Sequence, residues 1–225
     1  MSVSPYPVIT VDGPSGSGKG TICQKLAEFL GFHLLDSGAL YRLTAVAASE
    51  KGLELENEHA VADIARNLDV SFKAGPNGVL AFLGSRDVSR DIRLEGAGMG
   101  ASTVAAHPLV REALLDRQKA FQMAPGLIAD GRDMGTTVFP NAEIKVYLTA
   151  SAEERANRRY KQLIDRGESA NLRALLEDIQ ARDARDMQRS TSPLRPAKDA
   201  IEIDSTSMPI QAVLDTILKV VHERL

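Results

Sequence analysis

The sequence predicts an α/β fold, a three-layer α/β/α arrangement with a central parallel sheet, carrying a small antiparallel β insert and, later in the chain, a helical segment rich in arginine. Three observations predict it. The apolar run Val8-Ile9-Thr10-Val11 leads through a glycine-rich segment into the helical pattern Ile22, Leu26, Phe29, Leu30. Short apolar runs and helix-period segments then alternate along much of the chain, which is how parallel strands joined by crossover helices read. Between two of those helices the pattern turns to period two on either side of Gly75-Pro76-Asn77-Gly78, strong hairpin chemistry. At 225 residues the chain is long enough to bury about 70% of its unfolded surface as a single domain with excursions.

The first connection carries the chemistry. Gly13-Pro14-Ser15-Gly16-Ser17-Gly18-Lys19-Gly20-Thr21 lies between strand and helix. Its glycines let the backbone take positive φ and turn N–H groups inward on an anion, and the helix adds its positive N-terminal end. Lys19 follows as a point charge able to reach the β- and γ-phosphates, so the spacing G-x-x-x-x-G-K marks a phosphate-binding loop. The residue after Lys19 is Gly20, and the hydroxyl comes one position later at Thr21. Many P-loop enzymes place a Mg²⁺-binding hydroxyl directly after the lysine, which argues against direct coordination by Thr21; the spelling instead resembles nucleoside monophosphate kinases, which implies phosphoryl transfer.

The remaining elements follow in order. Gly31 suits a helix C-cap, and Phe32-His33-Leu34-Leu35 reads as a short buried strand ending at Asp36-Ser37-Gly38. Ligands of parallel sheets gather beyond the strand C-termini, which places Asp36, Ser37 and Arg42 there. Tyr41-Arg42 opens a helix running to Ser49, and Asn57 to Asn67 fits another. Val70-Ser71-Phe72 and Val79 to Leu83 form the hairpin, with a third short strand expected near Val88 after Gly84-Ser85-Arg86. The insert, about 69–90, sits in a stretch, 37–112, that reads as a substrate-side lobe. Ile92 to Ala106 is small and helical, although Gly96, Gly98 and Gly100 argue against one continuous helix. His107-Pro108 punctuates it, and Val110 to Phe121 is amphipathic.

Leu127-Ile128-Ala129 then ends in Asp130-Gly131-Arg132-Asp133. A buried strand ending in a carboxylate is how P-loop proteins place the acid that serves the Mg²⁺ shell, which makes Asp130 the candidate. An Asp-Gly pair is also ordinary turn chemistry. Ile144 to Leu148 is the next strand. Ser151-Ala152-Glu153-Glu154 has capping-box spacing and starts a helix with Arg155, Arg158, Arg159 and Arg166. A second helix, Leu172 to Arg189, sets Asp178, Arg182, Asp186 and Arg189 along one face. These charges read either as a solvated face or as a mobile lid, 155–190, over a transferred phosphate. Ala200 to Asp204 is a strand, Ser205-Thr206-Ser207 a turn, and Ile210 to Leu225 the closing helix.

Bulk composition excludes several classes. With 25% charged residues and a net charge of −3, the chain is neither disordered nor a basic nucleic-acid-binding protein, so any attraction for phosphate is local. No apolar stretch approaches a membrane span, and Met1 to Pro7 does not resemble a secretory signal, so a cytoplasmic protein is expected. The lone cysteine, Cys23, rules out an intrachain disulfide and a cysteine-based zinc cage and reads as a packed core residue. His33, His59, His107 and His222 show no ligand spacing and read as structural or surface residues.

Several segments together resemble bacterial cytidylate kinases: the glycine-rich loop, Leu35-Asp36-Ser37-Gly38-Ala39-Leu40-Tyr41-Arg42, Val104-Ala105-Ala106-His107-Pro108, Asp130-Gly131-Arg132-Asp133-Met134-Gly135-Thr136 and Glu153-Glu154-Arg155-Ala156-Asn157-Arg158-Arg159. The hairpin insert fits too. The resemblance implies transfer of the ATP γ-phosphate to CMP or dCMP with Mg²⁺. It implies monophosphate contacts from Ser37, Ser102, Arg111, Arg132, Asp133, Arg182, Asp186 and Arg189. Arg42 and Arg132 would hold the acceptor phosphate, and Asp186 with Arg189 the sugar. Lys19, Arg132, Arg158, Arg182 and Arg189 are expected to meet the charge of the transition state. Rival readings are a P-loop kinase for another small acceptor (UMP, AMP, shikimate) or a non-catalytic nucleotide sensor. A GTPase would need Asn-Lys-x-Asp and an ABC-type ATPase Leu-Ser-Gly-Gly-Gln; neither occurs. No membrane or nucleic-acid partner is expected, and a monomer is.

Overall fold

In the computed structural model, which describes residues 6–75 and 78–225, the chain divides into two compact units. The first comprises the residues up to Asp36 together with those from Lys119 onward; the second is Ser37–Gln118.

The first unit is built on five parallel strands in the order β2-β6-β1-β7-β8: β1 (Val8–Asp12), β2 (His33–Asp36), β6 (Leu127–Gly131), β7 (Ile144–Thr149) and β8 (Ile201–Asp204). The three central strands are apolar and almost wholly buried, as a sheet covered on both faces requires. Helices α1 (Lys19–Leu30) and α8 (Ile210–Arg224) supply one core, where Ile22, Cys23, Leu26, Val213 and Ile217 pack on Ile9, Val11, Ile128, Val146 and Leu148. Cys23 is thus a core residue, as expected. Gly31 caps α1 at φ 67°, its N–H bonding the carbonyl of Ala27. In the parallel register Asp36 pairs with Asp130, Val11 with Asp130, and Asp12 with Gly131. Asp36 and Asp130 are therefore register partners at the C-terminal ends of β2 and β6, while Asp12, one residue past Val11, ends β1 on the opposite face.

After β6 the chain makes a single π-helical turn, Met134–Val138, closed by the Phe139 N–H on the Met134 carbonyl at 2.7 Å. The sequence does not announce it. The capping-box spacing is half realised: the Ser151 hydroxyl accepts from the Glu154 N–H at 3.1 Å and starts α6 (Ala152–Asp165), but the Glu154 carboxylate turns forward to Arg158 Nε at 2.9 Å. Helix α7 (Leu172–Gln188) stops one residue short of Arg189, whose backbone is extended and whose Nε bonds the Ser192 carbonyl at 2.5 Å.

The second unit holds α2 (Ser37–Glu50), α3 (Glu58–Arg66), the antiparallel sheet β3 (Val70–Gly75), β4 (Gly78–Leu83) and β5 (Arg86–Asp87), α4 (Glu95–Val104) and most of α5 (Pro108–Lys119). Helix α2 begins at Ser37, four residues before the expected Tyr41, because β2 passes into it with no connecting loop. The predicted Pro76-Asn77 turn lies outside the described residues. The third strand forms at Arg86–Asp87, just before Val88, which is buried with its N–H on the Ala81 carbonyl. Helix α4 is continuous through all three glycines. At Gly100 the reason is close packing, since an added Cβ would meet Ala45 Cβ at 3.1 Å and Leu55 Cδ1 at 3.0 Å. His107 is structural, bonding the Leu55 carbonyl at 2.8 Å, and in the first unit His33 bonds the Ala124 carbonyl at 2.8 Å.

Candidate active site

The glycine-rich loop has the backbone that its sequence demands. Gly13, Gly16 and Gly18 take φ of 149°, 79° and 94°, and a Cβ at Gly13 would stand 2.0 Å from the Leu148 carbonyl oxygen. Helix α1 opens on Gly18 with no side-chain cap, so its first-turn N–H groups are left to an anion. Lys19 is buried, with Nζ on the Pro14 carbonyl at 2.8 Å. Burial, then the nearby Arg132 charge, pushes its ammonium down to about 8 against the opposing pull of Asp130 and Asp12. Gly20 has no side chain to fill the space toward Asp130, whose Oδ2 would be 3.7 Å from an added Cβ. Thr21 is exposed.

Braces from later elements hold the loop in place. Arg155, on α6, is buried and donates to the Ala150 carbonyl at 2.9 Å and the Ser15 carbonyl at 3.1 Å, and pairs with Asp183 of α7 through two bonds at 3.1 and 2.5 Å. Arg158 donates to the Ser17 carbonyl at 3.3 Å and the Ser205 carbonyl at 2.6 Å. The Ser205 hydroxyl bonds the Ser17 carbonyl at 3.2 Å and the Thr149 carbonyl at 2.9 Å. In this conformation the guanidinium of Arg158, expected at the transferring phosphate, is engaged with backbone carbonyls and Glu154 beneath the loop.

Beyond β6 a second cluster forms. Arg132 Nε bonds Asp186 Oδ2 at 3.1 Å, Arg189 Nη2 lies 3.9 Å from Asp133 Oδ1, and Arg182 Nη1 reaches the Ser15 hydroxyl at 3.3 Å. Five predicted residues, Arg132, Asp133, Arg182, Asp186 and Arg189, are so brought into one network that touches the phosphate loop. Burial would raise the Asp186 carboxyl, but Arg132, Arg182 and Arg189 together outweigh it and hold the group below its usual range. Asp178, on the same predicted face, is exposed and stands outside the network.

In the second unit, Ser37 and Ser102 are buried and Arg42 is half-buried. Arg111, also buried, sets its guanidinium 5.6 Å from the centroid of the Tyr41 ring and donates to the Ala105 carbonyl at 3.3 Å. Helices α2, α4 and α5 thus carry the four predicted residues of this unit.

Four residues that matter here were not anticipated. Asp12, buried at the end of β1, accepts the N–H groups of Met134 and Gly135 on its two oxygens, each at 2.8 Å. Burial lifts its carboxyl to about 7 in spite of those bonds. Its signal was in plain view, an apolar strand ending in an acid, the rule that singled out Asp130. Arg155 lies inside a motif already noted. Asp183 and Ser205 carry no local signal, since their partners are 28 and 188 residues away.

The family model for cytidylate kinase matches residues 9–223. A cytidylate kinase of Aeromonas hydrophila is 58% identical over 219 residues, covering 97% of this chain and 95% of its own. That of Stutzerimonas stutzeri is 58% identical over 224 residues, covering 99% and 98%, and that of Photobacterium profundum 60% identical over 207 residues, covering 92% and 91%.

Proposed function

The chain belongs to the cytidylate kinase family, and we propose how its residues divide the family's reaction among themselves. It is an ATP-dependent kinase that transfers the γ-phosphate of ATP to CMP or dCMP, giving CDP or dCDP and ADP. The observation that carries the assignment of roles is the network of Arg132, Asp133, Arg182, Asp186 and Arg189, which touches through Arg182 a glycine-rich loop whose helix terminus is uncapped.

The loop Gly13 to Thr21 binds the triphosphate of ATP through backbone N–H groups, and Lys19 leaves the Pro14 carbonyl to follow the β- and γ-phosphates. Asp133 accepts from the cytosine N4 amino group, while Arg111 and Ser102 donate to the N3 and O2 acceptors. Uracil offers O4 and N3–H there, leaving a buried carboxylate facing an acceptor, a mismatch worth a preference of about 10²-fold or more. Ser37, Arg42 and Arg132 serve the acceptor phosphate, and Asp186 with Arg189 the sugar.

No general base is needed, because the acceptor oxygen is already anionic at neutral pH; positioning and charge neutralisation carry the step. Arg132, Arg182 and Arg189 meet the charge that builds on the transferring group. Arg158 joins them only by releasing the carbonyls it holds beneath the loop, and is otherwise a brace. Asp130, beside Gly20 and within the field of Lys19, suits a Mg²⁺ ion held chiefly by the phosphates and water, reached directly or through water. The ion would supply charge neutralisation at the phosphates. We read 155–190 as a lid that excludes water on closing, and the protein as a cytoplasmic monomer.

The test is ADP release from ATP and Mg²⁺ with CMP, dCMP, UMP, AMP, GMP and dTMP offered singly. Turnover concentrated on CMP and dCMP is expected. A different preferred acceptor overturns the base-reading set, and release independent of any acceptor overturns the kinase assignment itself.

A further inference from the structure

We infer that Asp12 is a positioning residue for acceptor recognition: a carboxylate at the end of β1 that aims Arg132 and Asp133 by gripping the turn that follows them. Both oxygens are committed to the N–H groups of Met134 and Gly135, each at 2.8 Å, and the side chain is buried. The turn is gripped from other sides as well. Met134 is fully buried, the Thr137 N–H bonds the Asp133 carbonyl at 2.9 Å, and a Cβ on Gly135 would come within 2.8 Å of Thr10 Oγ1 and 3.2 Å of Lys145 Cδ. Arg132 and Asp133 occupy the two positions between the end of β6, which pairs with β1, and this clamp. Their backbone has little freedom while Asp12 holds.

Asp12 directly precedes the phosphate loop, yet its hydrogen bonds run to the segment beyond β6. Its two oxygens take neighbouring backbone N–H groups, so the group acts as a clamp on a turn, strongest while the carboxyl is ionised. A displacement of about 1 Å at a positioned group can cost about 10²-fold in rate, so loosening this turn is felt in recognition of the acceptor well before the fold is lost. The inference rests on the reading of Asp133 as the cytosine-reading carboxylate.

Asp12→Asn retains the shape but offers one acceptor and one NH₂ group to two N–H donors. Steady-state kinetics of this variant, with ATP and the acceptor varied separately, should show KM for CMP raised about 10-fold or more and the CMP-to-UMP ratio of kcat/KM lowered about 10-fold. KM for ATP should stay within about 2-fold. Gly135→Ala, which pushes the same turn away from Thr10 with Asp12 intact, should move the same two parameters in the same direction and serves if Asp12→Asn does not fold. A folded variant in which KM for ATP rises while acceptor parameters hold would overturn the inference and make Asp12 part of the ATP site. Asp133→Ala is the control. If it lowers the CMP-to-UMP ratio and neither turn variant does, positioning by Asp12 is refuted while the reading of Asp133 survives. If Asp133→Ala leaves the ratio unchanged, base reading by Asp133 falls, and the inference is then judged on KM for CMP alone, because Arg132 shares the turn.

Discussion

Asp183→Ala removes the carboxylate that receives both Nη atoms of Arg155, at 3.1 and 2.5 Å, and strands a guanidinium whose side chain is 4% exposed. Arg155 keeps only the Ala150 and Ser15 carbonyls. Breaking a buried pair by removing one partner costs about 3–5 kcal/mol, because the remaining charge stays out of water without its counter-ion. Asp183 itself is 15% exposed, which places the cost toward the lower end of that range. For a chain of this size each kcal/mol shifts Tm by about 2–4 °C, so a drop of about 6–15 °C is expected. Urea unfolding of the nucleotide-free protein, followed by far-UV circular dichroism, reads the free energy directly. Asp183→Asn, which retains one acceptor, should lose about half as much. The double variant Arg155→Met with Asp183→Leu removes both charges and should recover much of the loss, giving a coupling energy of about 2 kcal/mol or more. A change below about 1 kcal/mol in Asp183→Ala would refute the reasoning, since that is the scale of a solvated surface pair.

Further predictions concern the phosphate loop and the charged network. Lys19→Met should lower turnover by about 10³-fold or more, measured as ADP release, through loss of a cation at the phosphates. Because the Lys19 ammonium lies at about 8 in the nucleotide-free protein, ATP binding near pH 9 should take up close to one proton as the triphosphate restores its charge. Calorimetry in two buffers of different ionisation enthalpy measures this uptake, and Lys19→Met should abolish it. Gly13→Ala should cost about 3 kcal/mol or more in urea unfolding, since its Cβ would stand 2.0 Å from the Leu148 carbonyl oxygen at a φ of 149°. The carboxyl of Asp186 is held low in the folded protein, so its contribution is complete above the unfolded value near 3.8 and is lost as pH falls through the folded one. The stability advantage of the wild type over Asp186→Asn should therefore shrink between about pH 5 and pH 2, read as Tm in a pH series.

Local chemistry explains what was legible along the chain. Gly13, Gly16, Gly18 and Gly31 announced positive φ because only glycine takes it cheaply, and the structure has all four there. Strand order was not legible in the same way: apolar runs reveal that β1, β6 and β7 are buried, but not that β6 and β7 flank β1. Propensity misled at α4, where the three glycines argued for a break and close packing against Ala45 and Leu55 kept the helix whole. The arginines of α6 read either as a solvated face or as a lid, and Arg158 as a transition-state residue; that Arg155 and Arg158 hold backbone carbonyls of the phosphate loop was not legible, because i,i+4 spacing with acids reads the same whatever the distant partner.

By itself the sequence determined the α/β class, the phosphate loop, the antiparallel insert and, through its resemblance, the family. The class, the loop and the insert rest on spacing along the chain, which short-range sterics and backbone geometry convert directly into shape; the family rests on resemblance. The tertiary structure alone decided that Asp12 clamps the turn after Asp133, that Asp183 neutralises Arg155, and that Ser205 closes on the loop at Ser17. Each of these is a hydrogen bond between groups far apart in sequence. Its existence depends on burial that desolvates both partners and on strand register that brings them within about 3 Å, neither of which a stretch of residues contains.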